Sequence, residues 1–181
     1  LVTDAKLRNH LFEKLDVVNK YDSVIMNPPF GKGGKTAMEH LEKAFRHLRR
    51  NGRIVAIVPD GPSMQKRLDA FFDYDEKASL VPVLRREITL PDVAFERAGT
   101  NVNGKVLIID AADRQTLHDK GLEPSSRIEL DNAESIGELF DRIENMGAPA
   151  RLAQEFSGTA RSAAAPRTEV AGPGGGAESV S

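Results

Sequence analysis

Cysteine is absent from all 181 residues, which excludes both a disulfide framework and a thiolate metal site. No apolar stretch approaches the roughly 20 residues that a bilayer-spanning helix needs, and the first residues form neither a basic-then-apolar signal nor an amphipathic presequence. Nothing marks secretion, so the expected setting is a soluble protein in the reducing cytoplasm. Glycine is missing from residues 1–30, a gap that limits what this stretch can bind. The formal net charge of −2 argues against a generally basic nucleic-acid binder, while 40% hydrophobic residues support one globular domain with a real core.

Against these absences stands Asn27-Pro28-Pro29-Phe30, directly after the apolar run Val24-Ile25-Met26 that Asp22 introduces. Two consecutive prolines fix φ and remove two backbone donors, so the carbonyls of this corner point at a fixed place with no competing N–H. An amide side chain and an aromatic face complete it. On its own, Asn-Pro also opens ordinary turns after strands.

The corner resembles the catalytic motif of amino-methyltransferases that use S-adenosylmethionine, in which Asn-Pro-Pro-Phe or Asn-Pro-Pro-Tyr follows the fourth strand of a doubly wound sheet. The resemblance runs from about Tyr21 to Asp110. It implies a class I methyltransferase, Rossmann-like α/β fold with a mostly parallel sheet, S-adenosylmethionine as cofactor, and catalysis by Asn27, Pro28, Pro29 and Phe30. Asn27 and Pro28 are expected to accept hydrogen bonds from an exocyclic amine, and Phe30 to stack on a flipped-out base. Further on, Leu90-Pro91-Asp92-Val93-Ala94-Phe95, then Gly99-Thr100 and the strand Lys105–Ile109, resembles the late strands of adenine-N6 enzymes of the type I restriction-modification kind. That second match favours adenine in DNA as substrate, and a specificity or target-recognition subunit as partner. Read without the resemblance, it is a glycine turn joining two strands.

Hydropathy sets out the rest of the chain. Leu7, Leu11, Phe12 and Leu15 suggest a short amphipathic helix before a strand at Asp22–Met26. Thr36 and Glu39 form a Thr-x-x-Glu capping box for a helix ending near Arg50, with Gly52 just beyond. Arg53–Val58 is a nearly continuous β-branched run, Ile54-Val55-Ala56-Ile57-Val58, expected to be a strand buried on both faces. Ser63 is a candidate cap for a following helix, and strands are expected around Leu80–Leu84, Glu87–Leu90, Lys105–Asp110 and Arg127–Leu130, with a helix over Ile136–Met146. Residues 1–112 are expected to be the carboxyl-terminal part of a catalytic domain and 113–147 an α/β extension. Residues 148–181, rich in Ala, Gly, Ser and Pro, are expected to be disordered.

A methyltransferase of this kind needs a glycine-rich turn after its first strand, and residues 1–30 have no glycine. The chain is therefore expected to lack the amino-terminal part of the enzyme. Asp4 is a candidate for the acid near the cofactor's adenine, and equally reads as an exposed terminal residue. Phe95-Glu96-Arg97-Ala98-Gly99 does not serve as a permuted cofactor loop, because Arg97 replaces the first glycine. Gly31–Thr36 is similar to a phosphate-binding loop, yet Pro29 stands where that motif requires glycine. From residue 32 to 67 nine Lys or Arg face three acids, an excess that suits nucleic-acid phosphates and equally a solvated helix face. Lys32 and Lys35 are the candidate phosphate contacts. His40 and His47 read as helix-surface residues, with no third metal ligand nearby. The rival substrates are a guanine amino group in ribosomal RNA and a protein glutamine; a silent remnant serving as a scaffold is the non-enzymatic rival.

Overall fold

The computed structural model describes residues 9–18, 20–73, 78–91, 103–113, 117, 126–129 and 135–151. Asp4, the pattern from Asp92 to Thr100 and most of the expected tail lie outside them.

β1 (Tyr21–Met26) leads through α1 (Lys35–His47) into β2 (Leu48–Pro59), and α2 (Pro62–Phe72) follows. β3 (Leu80–Thr89), β4 (Gly104–Asp113) and β5 (Ser126–Glu129) come next, before a third helix, α3 (Ile136–Met146). The sheet order is β1-β2-β4-β3-β5. β1 pairs parallel with β2 and β3 with β5, whereas β4 runs antiparallel to both β2 and β3. Four strands thus point one way and β4 alone points back. This is the expected α/β class, though the sheet is mixed, with two parallel and two antiparallel pairings.

Helices cover both faces, and the period-2 geometry of strands shows how. Ile54, Ala56 and Val58 of β2, with Leu107, Ile109 and Ala111 of β4, pack against Met38, Leu41 and Ala44 of α1 and Met64 and Leu68 of α2. The alternate positions Ile57 and Val106 pack on the other side with Ile88, Leu90, Leu139, Ile143 and Met146. β2 is therefore buried on both faces, as its β-branched run predicts. Two expected strands, Leu80–Leu84 and Glu87–Leu90, are one strand, β3, with an irregularity between Leu84 and Arg86. β1, by contrast, lies at the sheet edge, and Ile25 is 84% exposed.

Neither expected side-chain cap forms at α1 or α2. Gly34 and Gly61 occupy the N-cap positions, and Pro62 begins α2. Thr36 and Ser63 lie inside the first turns, and the Ala37 N–H donates to the Phe30 carbonyl instead. α3 does carry a side-chain cap, the Ser135 hydroxyl accepting from Glu138 N–H at 3.1 Å.

A charged clamp holds the amino-terminal half of the sheet on the α3 face. Arg53 of β2 sits opposite Asp110 of β4 and donates to both its carboxylate oxygens, at 2.6 and 2.8 Å. Its remaining donors reach the carbonyls of Pro149 and Ala150. Arg86 grips the Gly147 carbonyl, and Arg151 the Asp22 carbonyl and Ser23 hydroxyl. Residues 147–151 thereby form a strap from β3 across β2 to β1. Removing one partner of a buried pair strands the other charge, so Asp110→Ala should lower unfolding free energy by about 3–5 kcal/mol in urea titrations; a loss below about 1 kcal/mol, as at exposed pairs, contradicts this.

Candidate functional site

The Asn-Pro-Pro-Phe corner leaves the carboxyl end of β1, at the rim where ligands bind in open α/β sheets. Asn27 and Pro29 are exposed, Pro28 is buried and Phe30 half-buried. The buried proline fastens the corner to the fold while the amide beside it faces outward. The bend therefore opens onto the rim and is not packed into the core.

Two glycines shape the loop behind it. Gly31 has φ +66, and a Cβ there would lie 2.2 Å from Thr36 Oγ1; Gly34 has φ +76, and a Cβ there would lie 2.8 Å from Met64 Sδ. Left-handed backbone without room for a side chain admits only glycine at both places. The loop thus folds tightly under Phe30 and starts α1.

Two hollows flank the corner. One, of about 340 Å³, is lined by Phe12, Val24, Ile25, Met26, Asn27, Pro28, Pro29 and His40. The other, of about 300 Å³, is lined by Phe30, Gly31, Gly33, Gly34, Asp60, Ser63 and Met64, among others. Parallel pairing of Met26 with Ala56 brings the end of β2, and so Asp60, alongside the corner. Asn27 faces one hollow and Phe30 the other.

Lys105, at the start of the reversed strand β4, reaches the same rim from below. It is 1% exposed, and its ammonium donates to Gln65 Oε1 at 2.8 Å while Glu87 and Asp60 oxygens lie at 3.4 and 3.5 Å. A buried ammonium needs such partners to offset its lost hydration. The only trace of this cluster in the sequence is one lysine just before the apolar run Val106–Ile109.

The basic excess divides when its partners are known. Arg53 is buried on Asp110, and Arg49 and Arg50 are paired with Asp22 and Asp113. Lys32 and Lys35 are exposed in the glycine loop and at the start of α1, with Lys35 3.8 Å from Glu39. Both stand near the corner.

The histidines are buried, contrary to the surface reading. The short turn Phe12–Lys14 folds over α1 and places Phe12 against both rings. His40 Nε2 lies 2.6 Å from Glu13 Oε1. Backbone hydrogen bonding, and then this contact, hold the Glu13 carboxyl below its usual range. His47 is 4% exposed, with neither ring nitrogen partnered, in a separate hollow further down β1. Burial, then Lys43 and Arg46, push its pKa below the ordinary 6.5. No group of three potential metal ligands occurs among the described residues.

The His47 environment fixes a sign. Unfolded, the ring takes up a proton near pH 6.5; folded, it does so only at lower pH, so the unfolded state binds more protons in that interval and stability falls as pH drops below 6.5. His47→Phe, which keeps the ring contacts, should flatten that acid dependence in urea titrations between pH 5 and 8; an unchanged slope contradicts the assignment.

Residues 5–79 match the family model of the methyltransferase small domain. Comparison with curated proteins finds no match. Among solved structures, the chain is similar to a Listeria monocytogenes protein assigned to the class I S-adenosylmethionine-dependent methyltransferases, with TM-score 0.48 and 15% identity over 73% of this chain and 43% of that one. It is also similar to a chain of a type I restriction-modification system, with TM-score 0.47 and 18% identity over 71% of this chain and 28% of that one. A third similar structure is a modification subunit assigned to a type I restriction enzyme of Vibrio vulnificus YJ016, with TM-score 0.46 and 16% identity over 77% and 34%. The chain spans less than half the length of each. Over residues 5–79, then, the sequence matches the model of the methyltransferase small domain, and the chain folds as an α/β sheet with helices on both faces.

Proposed function

We propose that this chain carries the catalytic corner of an enzyme that transfers a methyl group from S-adenosylmethionine to the exocyclic amino group of adenine in DNA. The observation that carries the reading is the outward-facing Asn27 at the rim, set between two hollows by a buried proline. An adenine amine is a poor nucleophile because its lone pair is delocalised into the ring. Asn27 Oδ1 and the Pro28 carbonyl accept its two hydrogens and favour a more tetrahedral nitrogen. Because both acceptors are fixed before substrate arrives, little reorganisation opposes them. Phe30 stacks on the flipped base, and Lys32 and Lys35 meet the adjoining phosphates.

The cofactor supplies a methyl group already activated by its sulfonium charge. The hollow beside Asn27 suits that reactive end, being walled by Phe12, Val24, Ile25 and Met26. It does not suit the polar ends: its one imidazole, His40, already lies against Glu13. Partners for the ribose and amino-acid groups therefore belong outside the described residues, where Asp4 remains the candidate near the adenine. A target-recognition subunit is the partner that sequence-specific DNA modification calls for.

In the full-length protein, Asn27→Ala should cut methylation by on the order of 10²–10³-fold, the range seen when one preorganised transition-state contact is removed. S-adenosylmethionine affinity by calorimetry should change little. Retained turnover contradicts the assignment. Methyl incorporation measured in parallel on DNA, ribosomal RNA and protein should favour DNA, and a preference for either alternative redirects the reading to guanine or glutamine.

A further inference from the structure

Transfer of a methyl group to an amine leaves a proton to be removed. The N–CH₃ bond forms as the sulfonium C–S bond breaks, and the product nitrogen is left with a positive charge and two hydrogens, one of which must go. An amide oxygen and a peptide carbonyl can accept hydrogen bonds but cannot hold a proton near neutral pH. Asn27 and Pro28 therefore cannot finish the reaction.

We propose, building on the reading above, that Asp60 receives this proton, directly or through one water, and that Lys105 is its positioning residue. Asp60 is the carboxylate lining the hollow that Phe30 also lines. Met26 pairs with Ala56, so Phe30 and Asp60, each four residues further on, leave neighbouring strands about 4.8 Å apart. Among the described residues both polar contacts of the carboxylate fall on Oδ1: Gly61 N–H donates at 2.9 Å and Lys105 Nζ lies at 3.5 Å. The residue itself lines the hollow. The side chain is 37% exposed, so a proton taken there passes on to solvent.

The surroundings aim this group. Lys105 contributes its charge from β4, and Glu87 shares that ammonium from β3. From α2, Gln65 is neutral toward Lys105, and Arg67 donates to the Gly33 carbonyl at the wall of the same hollow. Lys32 and Lys35 stand exposed on the loop. An almost wholly buried lysine, anchored from three elements beneath one rim carboxylate, is more than β2 needs to end there.

The test uses the full-length protein and a DNA oligonucleotide bearing its target adenine. Asp60→Asn should lower kcat about a hundredfold, a typical share for positioned proton transfer, and abolish the acidic limb of the pH–kcat profile. Oligonucleotide affinity by fluorescence anisotropy should be unchanged, and Asp60→Glu should recover part of kcat. Lys105→Met combined with Glu87→Gln removes both buried charges together and so avoids stranding one; it should lower kcat by on the order of tenfold while oligonucleotide affinity holds, because Asp60 loses the contact that aims it. An unaltered profile in Asp60→Asn, with Asn27→Ala inactive, overturns the proton role and leaves the corner intact. Loss of affinity matching the loss of kcat overturns it too, marking Asp60 as a binding contact. Turnover surviving in Asn27→Ala instead removes the underlying reading.

Discussion

Everything at the rim depends on how β4 is wedged, reversed, between β2 and β3. A strand sealed on both edges and both faces is a poor place for charge, yet β4 carries Lys105 near one end and Asp110 near the other, 1% and 0% exposed. Each is tolerable only because its partners come from the flanking strands. Asp110 takes Arg53 from β2, and Arg85 of β3 lies at 3.9 Å; Lys105 takes Glu87 from β3 and reaches Asp60 at the end of β2. A one-residue slip of β4 would turn both charges toward the wrong face. The two clusters therefore hold β4 in register, and with it Lys105 against Asp60.

The corner and its neighbour are supported unequally. β2 is paired on both edges, so Asp60 follows directly on a strand held from either side. β1 pairs only with β2 among the described strands and gains its second support from the strap, where Arg151 binds the Asp22 carbonyl. Buried Pro28 and the Phe30–Ala37 hydrogen bond add anchors at the other end. Asn27 is thus fixed by stiffness of the chain more than by enclosure, which suits the proposed meeting with a base arriving from solution.

Much of this was legible locally. The β-branched run at Ile54–Val58 is a doubly buried strand because nothing polar interrupts either of its faces. Helix α3 begins after Ser135, whose hydroxyl caps it, and follows its apolar spacing to Met146. The Asn-Pro-Pro-Phe corner announces a rigid bend through its prolines alone. What escaped was set by contacts distant in sequence. Arg53 belongs to a basic excess when counted along the chain, and only Asp110, 57 residues later, turns it inward. His40 and His47 are covered by the turn at Phe12, yet each stands three residues after a buried alanine, Ala37 or Ala44, so the helical period of α1 already placed them on its buried stripe. The capping box at Thr36 failed for a steric reason: Gly34, in its left-handed conformation, starts the helix before the threonine.

The distribution of polarity along β1 bears on the chemistry. Its first half is charged and tied down, with Asp22 paired to Arg49 and Ser23 held by Arg151. Its second half, Val24 to Met26, lines an apolar wall that runs up to Asn27. On the proposed reading, an amine brought against that wall loses water and finds few acceptors. Each acceptor then counts for more than it would in bulk solvent, because local dielectric screening is weaker. A neutral amide is the right group for such a place. A carboxylate at position 27 would cost more to desolvate and would hold a cationic donor too firmly to release the product, whereas one set back at Asp60, braced by Lys105 and open to solvent, can carry charge without either penalty.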